Sequence, residues 1–522
     1  MKKIFSVLLT FLAFASAQGS NINWSSPPTT LSGIGVNASN PQVAINSSGV
    51  AVAVWIENNL IRSSFKNGSS WGVATTISSI NASSPGVVID SSGNATAIWV
   101  ESGVVKSASK TLFGSWGAST VLSSSGASSP TICVDSAGDV VAAWARSNNI
   151  ETSTKLFGLA WGTRTTITAS TASNPVIAAG GTGTGTRIMI VWQGVSSGIN
   201  VIQASTKTIS GPWSAALIIS DATRQASQPY PAVDQNGNAS AIWYAYDLAG
   251  NSYANVAVKS ATRSNSTGTW SPISTLSSSG VRNPSTLTAR IAYDSIGNTI
   301  ALWNISFDDE TFNIESAVKP VNGTWGAPVD IIANNLYAYS AQLAVTTFGD
   351  TLSLYQFYNG NSLQIQTIES DINGFVNNSW SVPITISQGT DNAFPQIAAS
   401  LSSNTINTAG VWLNFNGTNT QVVAATGSKT LVLPPTGLHV AQSSHNFGVF
   451  NEFYNTLTWT ASTDPNVVGY LIFRNGIFLE QVGAGVTSII DDNRANSGSV
   501  TYGVSAIDAE NAQSTLVTVS FP

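Results

Sequence analysis

Apolar and polar positions follow one pattern along most of this chain. It is clearest in PQVAINSSGVAVAVW (41 to 55), PGVVIDSSGNATAIW (85 to 99), PTICVDSAGDVVAAW (130 to 144) and PAVDQNGNASAIW (231 to 243). Each segment opens as a short apolar strand, breaks at a polar turn and resumes as a strand such as VAVAVW, apolar on both faces. Such a strand is predicted to lie between neighbouring sheets instead of showing one face to water. The break carries a glycine six residues before a tryptophan slot, at Gly49, Gly93, Gly138, Gly237, Gly297 and Gly349, where a hairpin needs positive φ. Asp90, Asp135, Asp234 and Asp294 open the same turn and are expected to accept its backbone N–H groups.

The tryptophans give the period. One set stands at Trp24, Trp71, Trp116, Trp161, Trp213, Trp270, Trp325 and Trp380, the other at Trp55, Trp99, Trp144, Trp192, Trp243, Trp303 and Trp412, with Tyr355 in the remaining slot. Spacings of 44 to 60 residues belong to stacked supersecondary units. Two residues before each second-set slot the side chain is small (Ala53, Ala97, Ala142, Ala241, Ala301, Ser353, Gly410), Ile190 excepted. Period-two geometry puts that residue on the tryptophan's face, leaving room for a neighbour to approach the indole. A third strand follows, ending in Lys66, Lys110, Lys155, Lys207, Lys259 or Lys319, and a fourth begins at the first-set tryptophan.

Four antiparallel strands per unit is the count of a β-propeller blade. The chain opens on a lone fourth strand at Trp24, and its last unit, 395 to 426, has only strands one to three. Joining them predicts an all-β, eight-bladed β-propeller over residues 21 to 430, with no open edge. Seven blades is the alternative, because units 7 and 8 have degenerate turns.

Composition then narrows the class. The leader MKKIFSVLLTFLAFASA predicts a signal peptide over residues 1 to 17 and export to the periplasm, cell surface or medium. No later run is apolar enough for a transmembrane segment. Without Lys2 and Lys3, 18 basic residues face 26 acidic ones, a net charge of −8 that argues against nucleic acid. Cys133, the single cysteine, excludes an internal disulfide and takes a slot filled elsewhere by Ala44, Val88, Ala232 and Ala292, so it reads as a small buried residue.

After Leu433 the pattern changes. Pro434-Pro435-x-Gly437-Leu438-x-Val440, LTWTAS with Trp459, DPNVVGYLIFRNG with Tyr470 and VTYGVSAID with Tyr502 together resemble a fibronectin type III domain over 434 to 522. The resemblance implies an immunoglobulin-like, seven-stranded sandwich serving as spacer or adhesion module, with Tyr502 as the corner tyrosine bonded to upstream backbone.

Both histidines, His439 and His445, lie in that segment, so the repeats hold neither a Ser-His-Asp triad nor a histidine metal site. The repeat resembles the Asp-box of sialidases, but Asp and Gly stand three apart here instead of two. It also resembles the tryptophan docking motif of eight-bladed quinoprotein dehydrogenases, again with a different spacing. No cofactor signature, metal site or catalytic residue is assigned.

Departures from the repeat point to the ligand surface. The Asp-x-x-Gly turns and the lysine-ended turns should share one rim, and the loops after each second strand and between units the other. On that second rim units 5 and 6 read as enlarged, with YAYDLAGNSYANV (244 to 256) and NISFDDETFNI (304 to 314), and nine of twelve tyrosines fall between Tyr230 and Tyr358. Aromatic faces and acids on variable loops of a rigid scaffold suit a binding patch. The candidate residues are Tyr230, Tyr244, Tyr246, Asp247, Asp308, Asp309, Tyr337 and Tyr339, with a glycan or surface protein as partner. The leading expectation is an exported, non-catalytic binding or adhesion protein. The alternative is a glycoside hydrolase-like enzyme using Asp247, Asp308, Asp309 or Glu310, and the third is a structural protein of the envelope.

Overall fold

The computed structural model describes residues 22–521 except 168–170, 182–184, 251, 281–282, 308–310, 333–336, 348, 371–379, 403, 447, 449–450, 496–497 and 510–511. The leader and the acidic run Asp308, Asp309 and Glu310 lie outside the described residues.

Units 1 to 6 (38–76, 82–121, 127–167, 173–218, 225–275 and 289–330) each form a four-stranded antiparallel sheet. Unit 7, 337–385, repeats the order, and one parallel bridge between Leu363 and Asp391 ties it to unit 8. Unit 8 consists of Asp391–Ser402, Thr405–Phe415 and Thr420–Thr430. The N-terminal strands Asn23–Trp24 and Thr29–Thr30 both pair with Thr420–Thr430, so Trp24 stands opposite Gly427 in the fourth-strand position expected for it. The first strand of each unit packs on that of the next, and Ala38–Ile45 of unit 1 packs on Asp391–Ser402 of unit 8.

The core lies between units, which explains strands apolar on both faces. Trp99 packs against Val54 and Ile61 of unit 1, Trp144 against Ile98 and Val105 of unit 2, and Trp55 against Val411 and Val422 of unit 8. All seven second-set tryptophans and Tyr355 are fully buried. Each burial contributes roughly 2–3 kcal/mol, so the repeat supplies cohesion without disulfides. In unit 8 the small residue two positions earlier is required by space: a Cβ on Gly410 would sit 2.6 Å from Leu354 and 3.6 Å from Trp24. Cys133 is buried in the core shared by units 3 and 4, and burial pushes its thiol up to about 12, which leaves it unreactive.

The Asp-x-x-Gly turns form as their side-chain chemistry dictates. Asp90, Asp135, Asp234 and Asp294 each accept the backbone N–H four residues on at 2.7–2.8 Å. Asn94, Asn238 and Asn298 add a side-chain hydrogen bond to the same aspartates at 2.8 Å. The asparagine oxygens of Asn238 and Asn298 then accept the N–H of Asn265 and Val321 in the hairpin between strands three and four. The aspartate turns and the lysine-ended turns therefore share a rim, as the repeat predicts. Asp234→Ala is expected to cost about 1–3 kcal/mol, because the donors it serves are left in a buried turn. Asp234→Asn should cost less, since Asn46 makes the equivalent bonds to Ser48 and Val50 in unit 1. Urea midpoints of the two variants check this.

Residues after 435 form two facing sheets, Thr436–Asn446, Asn451–Thr460 and Ser488–Arg494 against Ile477–Gly483, Val467–Arg474, Val500–Asp508 and Val517–Phe521. Leu457, Trp459, Tyr470, Ile472, Tyr502 and Val504 fill the space between them. One expectation needs correction: the Tyr502 hydroxyl does not bond upstream backbone but donates to Asp491 Oδ2 at 2.5 Å and accepts from Asn455 Nδ2 at 2.9 Å. Tyr470 makes the backbone link instead, accepting the Ser462 N–H at 3.0 Å. Leu471, Phe473, Ile507 and Leu516 pack on Ile296, in the aspartate turn of unit 6, so this segment covers part of the turn rim.

Candidate functional site: the loop rim

The rim opposite the aspartate turns is built from a device that the sequence reading did not identify. In the first strand, Asn40, Ser84, Ser129, Asn174, Gln228, Ser340 and Phe394 all adopt left-handed backbone with φ between 48° and 56°. Each sits where the register with the second strand slips, so seven of the eight units carry the same bulge. Five of these bulges lie in Ala-Ser-x-Pro (38–41, 82–85, 127–130, 172–175 and 226–229), a recurrence that was readable. Proline disfavours helical backbone before it, while the N–H groups of Ala82, Ala127 and Ala172 bond the hairpin carbonyls of Asn59, Gly103 and Asn148 in the preceding unit. A left-handed non-glycine residue costs roughly 1–3 kcal/mol, and a bulge re-aims a side chain. The result is a series of neutral polar side chains plus the exposed Phe394, and the Ser129 hydroxyl reaches Asn174 of the next unit at 3.3 Å.

Beneath this rim the indole N–H groups are clasped. Trp55 and Trp99 donate to Glu57 and Glu101, two residues on, at 3.2 and 3.1 Å, and those acids also accept the N–H of Gly33 and Ser79 in the inter-unit loops. Trp144, Trp192 and Trp303 donate to their cross-strand partners Glu151, Gln203 and Glu315 at 2.8 Å, and Tyr355 does so to Gln366. Units 1 and 2 pair the acid with Arg62 or Lys106 on the facing strand; unit 3 exchanges the positions, with Arg146 following the tryptophan and Glu151 facing it. These carboxylates are buried, bonded and set in separate units, an arrangement that holds structure.

The structure divides the predicted patch. Tyr244 is fully buried between units 5 and 6, its hydroxyl within 2.7 Å of the Asn304 carbonyl, and Tyr246 is buried beside Tyr253. The residues read as a loop over 244–256 largely continue two long strands, Ala239–Ala249 and Ser252–Arg263, which is why Tyr244 faces core and not ligand. Asp247 pairs with Arg224 at 2.8 Å and accepts Asn255 Nδ2 at 2.9 Å. Those bonds, from Asn255 and then Arg224, hold its carboxyl below the usual range, so it is no proton donor near neutral pH. Tyr230 is half-buried under the Arg290 guanidinium, 4.6 Å from its ring centre, and Arg290 also bonds Gln342 at 3.0 Å. Tyr337 and Tyr339 do come together, stacked at 6.4 Å, with Phe312 4.6 Å from Tyr339 and Tyr358 edge-on at 5.8 Å from Tyr337. Tyr337, Tyr339 and Tyr358 are partly exposed.

On the other rim, the lysine position is revised by one member. Lys66, Lys110, Lys155, Lys207 and Lys319 all pair with the residue four before the tryptophan slot, whereas Lys259 pairs with Trp243 itself and Arg263 takes the shared position. Among the described residues no group of three His, Cys, Asp or Glu side chains is placed to hold a metal ion, and no helix is long and apolar enough to cross a membrane.

No protein family matches this sequence, and no curated protein does. Solved structures resemble it at low identity. A protein of unknown function from Dyadobacter fermentans is 12% identical, covering 78% of this chain and 99% of its own, with a TM-score of 0.38. A lectin from Aleuria aurantia in complex with Fucalpha1-6GlcNAc is 14% identical over 58% of this chain and 95% of its own, with a TM-score of 0.33. A Hadza microbial sialidase is 12% identical over 65% and 73%, with a TM-score of 0.35.

Proposed function

We propose that this is an exported glycan-binding protein: an eight-bladed β-propeller closed by its own N-terminal strand, carrying a fibronectin type III domain as spacer. The observation that carries the reading is the partly exposed aromatic cluster of Tyr337, Tyr339 and Tyr358 with Phe312, which shares a rim with the bulge residues Gln228, Ser340 and Phe394. Aromatic faces stack on sugar C–H surfaces, and neutral amides and hydroxyls match hydroxyl ligands without charge. The C-terminal segment packs on the opposite rim, at Ile296. A lectin and a sialidase both resemble the chain, so likeness does not choose between binding and cleavage; the engagement of Asp247 by Arg224 and Asn255 favours binding. Incubating the mature protein with bound glycans should return them uncleaved. Turnover that disappears in Asp308→Ala or Glu310→Ala would replace binding with catalysis.

A further inference from the structure

A second site lies on the turn rim, in the seam between units 3 and 4. A cavity of about 640 Å³ opens there, lined by Thr154, Leu156 and Leu159 of one unit and Lys207, Pro212 and Trp213 of the next. Its volume suits a small ligand. Lys207 is 7% exposed, and its ammonium donates to Thr154 Oγ1 at 2.7 Å and stands 5.4 Å from the centre of the Trp213 ring. The indole is fixed as a wall because its N–H donates to Thr152 Oγ1 at 2.8 Å. Leu156 and Leu159, 38% and 60% exposed, flank the opening.

An ammonium carries three donors, and holding it away from water is unfavourable without a counter-charge. Among the described residues no carboxylate forms an ion pair with Lys207. Smaller cavities recur at equivalent seams, about 340 Å³ beside Lys155 and about 250 Å³ beside Lys66. The first of these is lined by Asp90, which already supplies negative charge. The seam between units 3 and 4 is thus where a buried cation, an indole face and exposed apolar side chains meet with the charge uncompensated.

We infer that this seam binds a small organic carboxylate, its carboxyl group on Lys207 and its ring face against Trp213. Two ligand sources share that chemistry, an acidic sugar and an aromatic acid. Calorimetric titration of the mature protein with glucuronate and with benzoate, against neutral glucose and benzyl alcohol, distinguishes them. At least one carboxylate should bind and its neutral counterpart should not. Lys207→Met should weaken that binding roughly tenfold to a hundredfold, the value of a charged hydrogen bond, while Lys207→Arg should retain most of it. Because Lys207 packs between units, melting curves accompany each variant, and Trp213→Leu gives a second route that keeps the charge and removes the ring face. The inference is overturned if neither carboxylate binds, if the neutral compounds bind equally, or if Lys207→Met or Trp213→Leu, still folded, binds as tightly as the parent. Tyr339→Ala should leave this binding unchanged, so its failure and that of the glycan reading are separable.

Discussion

Trp303→Ala is expected to lower the stability of the repeat region by about 3–5 kcal/mol, the usual cost of emptying a large buried aromatic site. The indole is fully buried in the core between units 5 and 6, against Tyr244, Val256 and Val258, and donates to Glu315 at 2.8 Å. Alanine would open a cavity in the seam between two sheets and would strip a buried acid of its donor. Trp303→Tyr should lose much less, because unit 7 already uses tyrosine in this slot, with the Tyr355 hydroxyl 2.8 Å from Gln366. Denaturant unfolding followed by tryptophan fluorescence reads both. A loss below about 1 kcal/mol for the alanine variant would mean the seams are not the source of cohesion.

The second large effect is a gain. Burial pushes Glu315 up from its ordinary value near 4.5 to about 7, a shift larger than the opposing help from the Trp303 N–H. A carboxyl group raised in the folded state binds its proton more tightly there than in the unfolded chain. Its contribution is full below about pH 4.5 and is lost as pH rises through about 7. Glu315→Gln keeps the acceptor for Trp303 and removes the charge, as Gln203 does for Trp192. The variant should match the parent near pH 4 and exceed it above pH 7 by on the order of 2 kcal/mol. Unfolding midpoints across that range measure the difference. A gain that is the same at every pH would place the effect in packing instead of ionisation.

Architecture was legible wherever one residue type repeats for one physical reason. The tryptophan slots mark seams, the Asp-x-x-Gly runs mark turns, and the unmatched strand at Trp24 finds its place opposite Gly427. The left-handed bulges were missed despite the Ala-Ser-x-Pro recurrence because positive φ is normally read from glycine, and here Asn, Ser, Gln and Phe adopt it before proline or alanine. The indole clasps were hidden because their acceptor moves among three positions, two residues along the strand in unit 1, across it in unit 6 and on the first strand in unit 8, so no fixed spacing reveals them. Lys259 was misplaced because the third strand of unit 5 runs on to Arg263, which shifts the count by four. Tyr244 was misread for a related reason: where both faces of a strand are buried, the residue next to a core tryptophan also enters a core. Of the predicted patch, Tyr337 and Tyr339 come together at the start of the first strand of unit 7, and Tyr230 lies under Arg290.

We propose that the aromatic cluster at the unit 7 rim binds glycan. The most direct measurement is a glycan array probed with the mature protein and with Tyr337→Ala and Tyr339→Ala, both checked for an unchanged melting temperature. The parent protein should bind a defined set of glycans, and each variant should lose roughly tenfold or more in affinity for that set, about 1–2 kcal/mol for one aromatic face. No binding to any glycan by the parent protein, or equal binding by the folded variants, would contradict it.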